Sequence, residues 1–92
     1  MTARMNIREI FALNLRRLRN AKGLSQEELA HRADIHRTYV SSLERCVYSP
    51  TIDTVASLAE ILDVEAFELL VSKGRSNIKN IAESSPESPS DI

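Results

Sequence analysis

Arg37, Thr38, Ser41 and Ser42 fall within six consecutive positions. Together they offer a planar cation and three hydroxyls, a set that can exchange hydrogen bonds with a polar surface but cannot by itself break a covalent bond. Bond chemistry would call for a nucleophile beside a base, paired carboxylates or a phosphate-cradling loop, and no such arrangement is legible in the chain. His31 and His36 are too isolated for acid–base or metal work. The single cysteine, Cys46, has no partner for an internal disulfide and belongs to no zinc-ligand spacing. No cofactor and no metal are expected, and an enzyme is the weakest class.

The stretch that carries these four side chains, Arg37 to Arg45, has Val40 and Leu43 as its apolar stripe and reads as a short helix. Its Thr and Ser content works against it, at a few tenths of a kcal/mol per residue relative to Ala. A surface helix shaped for stability alone would be written otherwise; one turned toward base edges fits. Asp34-Ile35-His36 is the break before it, with His36 as the cap. Ahead of the break, Ser25 and Glu28 form a capping box that starts another short helix, with Leu29, Ala30 and Ala33 inward. The pair 26–33 and 37–45 fits a helix-turn-helix. In that motif the first helix crosses the phosphate backbone and braces the second, whose width the major groove accepts.

The remaining elements must position this pair. Ile7, Ile10, Phe11, Leu15 and Leu18 recur at helical spacing between Asn6 and Lys22, and Gly23 ends that helix. Tyr48-Ser49-Pro50 forms a loop, and Thr51 caps a fourth helix whose inner face reads as Ile52, Val55, Leu58, Ala59 and Leu62, with Asp63 at its end. A short fifth helix is expected from Glu65 to Ser72. The fold class is therefore all-α, a compact five-helix domain over residues 6–73. It follows a flexible N-terminus (1–5) and precedes a Ser/Pro/acidic tail (74–92) expected to be largely disordered.

Ninety-two residues, 42% apolar and without Trp, suffice for one aliphatic core. A domain this small buries only about 60% of its unfolded surface and gains from a partner chain. No stretch is long and apolar enough to span a membrane, so a cytoplasmic location is expected. The net charge of −1 hides an asymmetry: residues 1–48 carry nine Lys/Arg against five acids, and acids predominate thereafter. The basic excess coincides with the helix-turn-helix, as a nucleic-acid partner requires, although an ordinary solvated surface is the plainer reading of charge alone.

Gly23-Leu24-Ser25-Gln26-Glu27-Glu28-Leu29-Ala30, followed by Ile35, Val40-Ser41, Leu43-Glu44-Arg45, Pro50-Thr51-Ile52 and Leu58-Ala59-Glu60-Ile61-Leu62-Asp63-Val64, resembles the Xre/Cro and phage-repressor helix-turn-helix family. The resemblance runs from Phe11 to Leu70. Within it, His36-Arg37-Thr38-Tyr39-Val40-Ser41 is similar to the recognition helix of the controller proteins of restriction-modification systems. The resemblance implies a lambda-repressor-like fold and a homodimeric transcription regulator bound to double-stranded operator DNA. It places Arg37 at the main base-reading position and Thr38 beside it, with Ser41 and Ser42 one turn on. It gives DNA-backbone contacts to Gln26, Tyr39, Arg45 and Tyr48, with Gln26 also supporting the start of the recognition helix. It makes Arg19 and Glu44 a buried structural salt bridge.

Plainer roles stand beside these. Arg37 can be a phosphate clamp, Tyr39 can pack on the bracing helix, Ser41 can be small for close helix approach, and Tyr48 can anchor the loop. Asp34, Cys46 and Asp63 occupy turn positions where the family usually has glycine, or asparagine for the last. Asp tolerates the left-handed conformation, whereas Cys has no such allowance, so the loop after the recognition helix is expected to be strained or reshaped.

The final helix is the family's usual dimer contact, which points to Ile61, Val64, Phe67, Leu70 and Val71; the alternative is that they cap the monomer's own core. Glu60, Asp63, Glu65 and Glu68 form the candidate RNA polymerase contact of an activator. The functional readings are thus an autoregulatory repressor, a controller that also activates, or an antitoxin-like protein whose tail neutralises a protein partner.

Overall fold

Every α-helix among the described residues begins on an extended residue and is closed by a left-handed one. The structure is a computed structural model and describes residues 5–72. Four helices follow one another: α1 (Ile7–Ala21), α2 (Gln26–Ala33), α3 (Arg37–Glu44) and α4 (Ile52–Leu62). They start from Asn6, Ser25, His36 and Thr51, all in the extended region. Asn6 with Glu9 and Ser25 with Glu28 form reciprocal capping boxes, and the Thr51 hydroxyl accepts from the Thr54 N–H. The hydrogen bond from the Ser25 backbone N–H holds the Glu28 carboxyl below its ordinary value, so this cap strengthens α2 above the usual carboxylate range and fades as pH falls through the lowered one. His36 stands at the cap position of α3, but its side chain makes no capping bond.

At the other ends, Gly23, Asp34, Cys46 and Asp63 have φ of 76°, 59°, 65° and 64°. The next amide in each case reaches back five residues: Leu24 to Arg19, Ile35 to Ala30, Val47 to Ser42 and Val64 to Ala59, at 2.9–3.1 Å. These are Schellman closures, which normally place glycine at the left-handed position and bury the apolar residue after it. Leu24 is buried and Ile35 and Val64 pack against the core, but Val47 after α3 is 49% exposed. The loop after α3 therefore keeps the usual turn geometry and accepts strain at Cys46.

The core gathers Phe11 and Leu15 of α1, Leu29 of α2, Val40 and Leu43 of α3, Leu58 of α4, and Leu69. Two expectations are corrected. Ile52, an inner-face residue by periodicity, is 85% exposed, because it is the first residue of α4 and lies beyond the turn that reaches the core. The expected fifth helix, 65–72, is a single 3-10 turn, Ala66–Leu69. The buried Asn14 side chain of α1 donates from one nitrogen to the carbonyls of both Leu69 and Val71, two residues that an α-helix would set on opposite sides of its axis. The domain is thus four α-helices and one 3-10 turn, with no strand among the described residues. No described helix is long and apolar enough to cross a membrane. The expected tail (74–92) and, Met5 apart, the N-terminus (1–5) lie outside the described residues.

The strain at Cys46 is testable. A left-handed conformation costs an L-residue about 1–2 kcal/mol, and glycine returns part of that gain as unfolded-state entropy. Cys46→Gly should therefore raise stability by about 0.5–1 kcal/mol in urea denaturation. Equal or lower stability would mean that the thiol's 3.5 Å contact with the Arg8 carbonyl outweighs the strain.

Candidate nucleic-acid interface

Helix α3 receives little from its own sequence. It is eight residues long, has no side-chain cap, no acid in its first turn and no base in its last. An isolated helix of that length is unstable in water. Its stability comes from the bodies on which it lies, α1 and α2. That two-sided packing widens its buried arc to Val40, Ser42, Leu43 and Glu44. Ser42, expected to face the groove, is 9% exposed and is withdrawn as a base contact.

The buried Glu44 carboxylate is the fastening. Arg19 of α1 grips it in a fork, Nε to Oε2 at 2.6 Å and Nη2 to Oε1 at 3.0 Å, with side-chain exposures of 11% and 3%. The remaining Arg19 nitrogen, Nη1, donates to the Leu24 carbonyl at 2.8 Å. Gln26, the first residue of α2, donates from Nε2 to Glu44 Oε1 at 3.0 Å. One carboxylate thus joins α1, the start of α2 and the end of α3, and bidentate charge-assisted bonds fix direction as well as distance. Gln26 supports the last turn of α3, whereas the expectation was its start. No buried side-chain N or O among the described residues lacks a partner.

With its inner arc held, α3 leaves Arg37 and Thr38 exposed on its first turn. Ser41 is half-buried, and its hydroxyl accepts from Arg45 Nε at 3.3 Å, so it braces that guanidinium along the end of the helix. Tyr39 is half-buried against the core and tilts toward the exposed Tyr48 ring, centroids 6.4 Å apart. Tyr39 and Tyr48 therefore join α3 to the loop after it, and Arg45 and Tyr48 lie on either side of Cys46. His31 and His36 flank the turn between α2 and α3, and no group of three or more His, Cys, Asp or Glu among the described residues could hold a metal ion.

At the far end of the chain the five apolar candidates divide. Ile61 and Val64 are half-buried and pack against the monomer's core, and Val71 is half-buried. Phe67 and Leu70 are exposed, at 58% and 39%. Glu60, Asp63, Glu65 and Glu68 line one surface concavity with Val64. The residue that sequence reasoning missed is Asn14: it lies within the apolar run of α1 with no motif to mark it, and its partners are 55 and 57 residues away.

Comparison with known proteins agrees with this architecture. The helix-turn-helix family matches residues 15–69. The control protein C.SmaI of Serratia marcescens is 42% identical over 73 residues, 79% of this chain and 87% of that protein. The crystal structure of the restriction-modification controller protein C.AhdI from Aeromonas hydrophila is similar with a TM-score of 0.65 and 42% identity, over 67% of this chain and 94% of that one. The structure of the controller protein C.Esp1396I, a tetramer in complex with its natural 35-base-pair operator, gives a TM-score of 0.65 and 28% identity, over 73% of this chain and 92% of that one.

Removing the carboxylate tests the fastening. Glu44→Ala leaves the Arg19 guanidinium in a nearly dry site and should lower stability by about 3–5 kcal/mol in chemical denaturation, with apolar replacement of both partners costing less. A loss below about 1 kcal/mol would mean that α3 is held chiefly by its apolar contacts.

Proposed function

The chain belongs to the helix-turn-helix family of DNA-binding transcriptional regulators, and from that premise we propose that it binds a roughly palindromic operator as a homodimer, either as an autoregulatory repressor or as a controller of the restriction-modification type. The observation that carries this reading is the exposure of Arg37 and Thr38 on the first turn of a helix whose opposite end is locked by Arg19 and Gln26. An arginine so placed donates bidentately to guanine O6 and N7, a contact that discriminates by about 1–3 kcal/mol, and a threonine beside it bonds a base or touches a thymine methyl. Ser41 lies one turn on at the groove's edge. Gln26, Tyr39, Arg45 and Tyr48 surround this face and serve the phosphates, setting register without reading sequence.

One module reads too few base pairs for genomic specificity. Two copies joined by an isologous patch at Phe67 and Leu70, with Ile61, Val64 and Val71 at its margin, would set two recognition helices one DNA turn apart, about 34 Å. The likeness to C.SmaI and C.AhdI favours a controller role. The likeness to C.Esp1396I, a tetramer on its operator, favours more than one dimer per operator. The acidic concavity at Glu60, Asp63, Glu65 and Glu68 is the surface an activator would present to RNA polymerase.

Arg37→Ala should abolish preference for the selected operator over random duplex while retaining weak, salt-sensitive binding, read by titration at several salt concentrations; unchanged discrimination would remove Arg37 from base reading. Phe67→Asp should sediment as a folded monomer, and a persisting dimer would place the interface elsewhere.

A further inference from the structure

Asn14 is a polar residue in the middle of α1, between Leu13 and Leu15, and it is 1% exposed. Its Nδ2 donates to the Leu69 carbonyl at 3.0 Å and to the Val71 carbonyl at 2.8 Å. Its Oδ1 accepts from Arg17 Nη2 at 3.2 Å. Both amide hydrogens and the amide oxygen are therefore engaged.

The segment it holds has little stability of its own. Ala66–Leu69 is one 3-10 turn, opened by the Glu65 N–H bond to the Glu68 carboxylate at 2.9 Å and anchored in the core by Leu69. A single apolar anchor would let such a turn roll about its side chain. Two carbonyls held two residues apart remove that freedom, and they flank Leu70, which with Phe67 is the exposed large apolar pair of this segment. The same helix that holds this segment through Asn14 holds the recognition helix through Arg19, five positions further on. One rigid rod thus carries the fastening of both functional surfaces.

We propose that Asn14 is the positioning residue of the dimer contact: by tying the carbonyls of residues 69 and 71 to α1, it sets the angle at which Phe67 and Leu70 leave the body, and through α1 it sets the spacing between the recognition helices of two copies. The inference rests on the dimeric reading above. The mechanism is steric and electrostatic, with no chemistry beyond hydrogen bonding. A dimer with this segment loose would tolerate the wrong half-site spacing, since orientation, not base reading, is what it has lost.

Wild type, Asn14→Ala and Arg17→Met are compared by sedimentation equilibrium without DNA and by binding to three probes: the duplex recovered by wild type from a random pool, the same duplex with one base pair inserted between its half-sites, and an isolated half-site. Asn14→Ala should raise the dimer dissociation constant about tenfold. It should also cut the preference for the selected spacing about threefold, with half-site binding held within about twofold. Arg17→Met removes the bond to Asn14 Oδ1 together with one exposed positive charge, whose loss weakens binding to all three probes alike. It should move the dimer constant and the spacing preference the same way by a smaller factor, and it decides the question if Asn14→Ala does not fold. Unchanged dimerisation and spacing preference, or equal losses on half-site and full site, overturn the proposal. A wild type that is monomeric at DNA-binding concentrations overturns the dimeric reading and this inference together, whereas a wild-type dimer indifferent to both substitutions overturns the inference alone.

Discussion

A buried carboxylate cannot be left alone in a protein interior, and the structure is arranged around that demand at Glu44. Desolvating a charge is costly, and the cost is met only when partners are close and correctly directed. Here three donors come from two separate helices: the two nitrogens of the Arg19 fork on α1 and the Gln26 amide at the start of α2, while the remaining guanidinium nitrogen is occupied by the Leu24 carbonyl. Any shift of α3 relative to α1 or α2 would break charge-assisted bonds in a nearly dry site. The recognition helix can therefore be short, uncapped and rich in Ser and Thr, because its position is enforced from outside. The composition that weakens it as a helix leaves its outer face polar.

The loop after α3 shows the same division between local preference and tertiary need. All four helices close with the same backbone geometry, but only one closure uses glycine. Asp34 and Asp63 tolerate the left-handed region reasonably well, while Cys46 does so at a cost. The closure at Cys46 also differs in leaving Val47 half-exposed where Leu24, Ile35 and Val64 turn inward. Strain and exposed apolar surface thus coincide beside the helix that carries Arg37. That is the expected place for both in a surface completed by a partner, since loops on a rigid scaffold commonly carry function.

In the proposed two-fold dimer, two faces of the molecule have to be kept in fixed relation for it to span two half-sites. α1 is the element long enough to do this, and its polar interior residues, not its apolar stripe, make the connections. Asn14 reaches the C-terminal segment and Arg19 reaches the recognition helix. The apolar core supplies most of the cohesion, being non-directional. The hydrogen-bonded groups supply direction, which burial of Leu and Phe cannot.

Much of this is legible in residue order. The capping box at Ser25, the breaks at Gly23, Asp34 and Asp63, the periodic stripes of α1, α2 and α4 and the in-register helix-turn-helix motif are local signals, and local backbone energetics decides them. The exposure of Arg37 and Thr38 follows from the same stripe that buries Val40 and Leu43. Three features need the folded chain. Ser42 is buried because α3 has two neighbours, which a single helical wheel does not encode. Residues 65–72 stop at one 3-10 turn where a single amide nitrogen far away in sequence gathers the carbonyls of residues 69 and 71, which a helix would hold on opposite sides. Gln26 meets the end of α3 because Glu44 needs a third donor. Each is an interaction between groups distant along the chain, so periodicity carries no trace of it. Residue order alone thus settles where the four α-helices begin and end. Which face of each helix is covered, and how far the last segment winds, is settled by packing, because those outcomes depend on what a long-range neighbour donates or excludes.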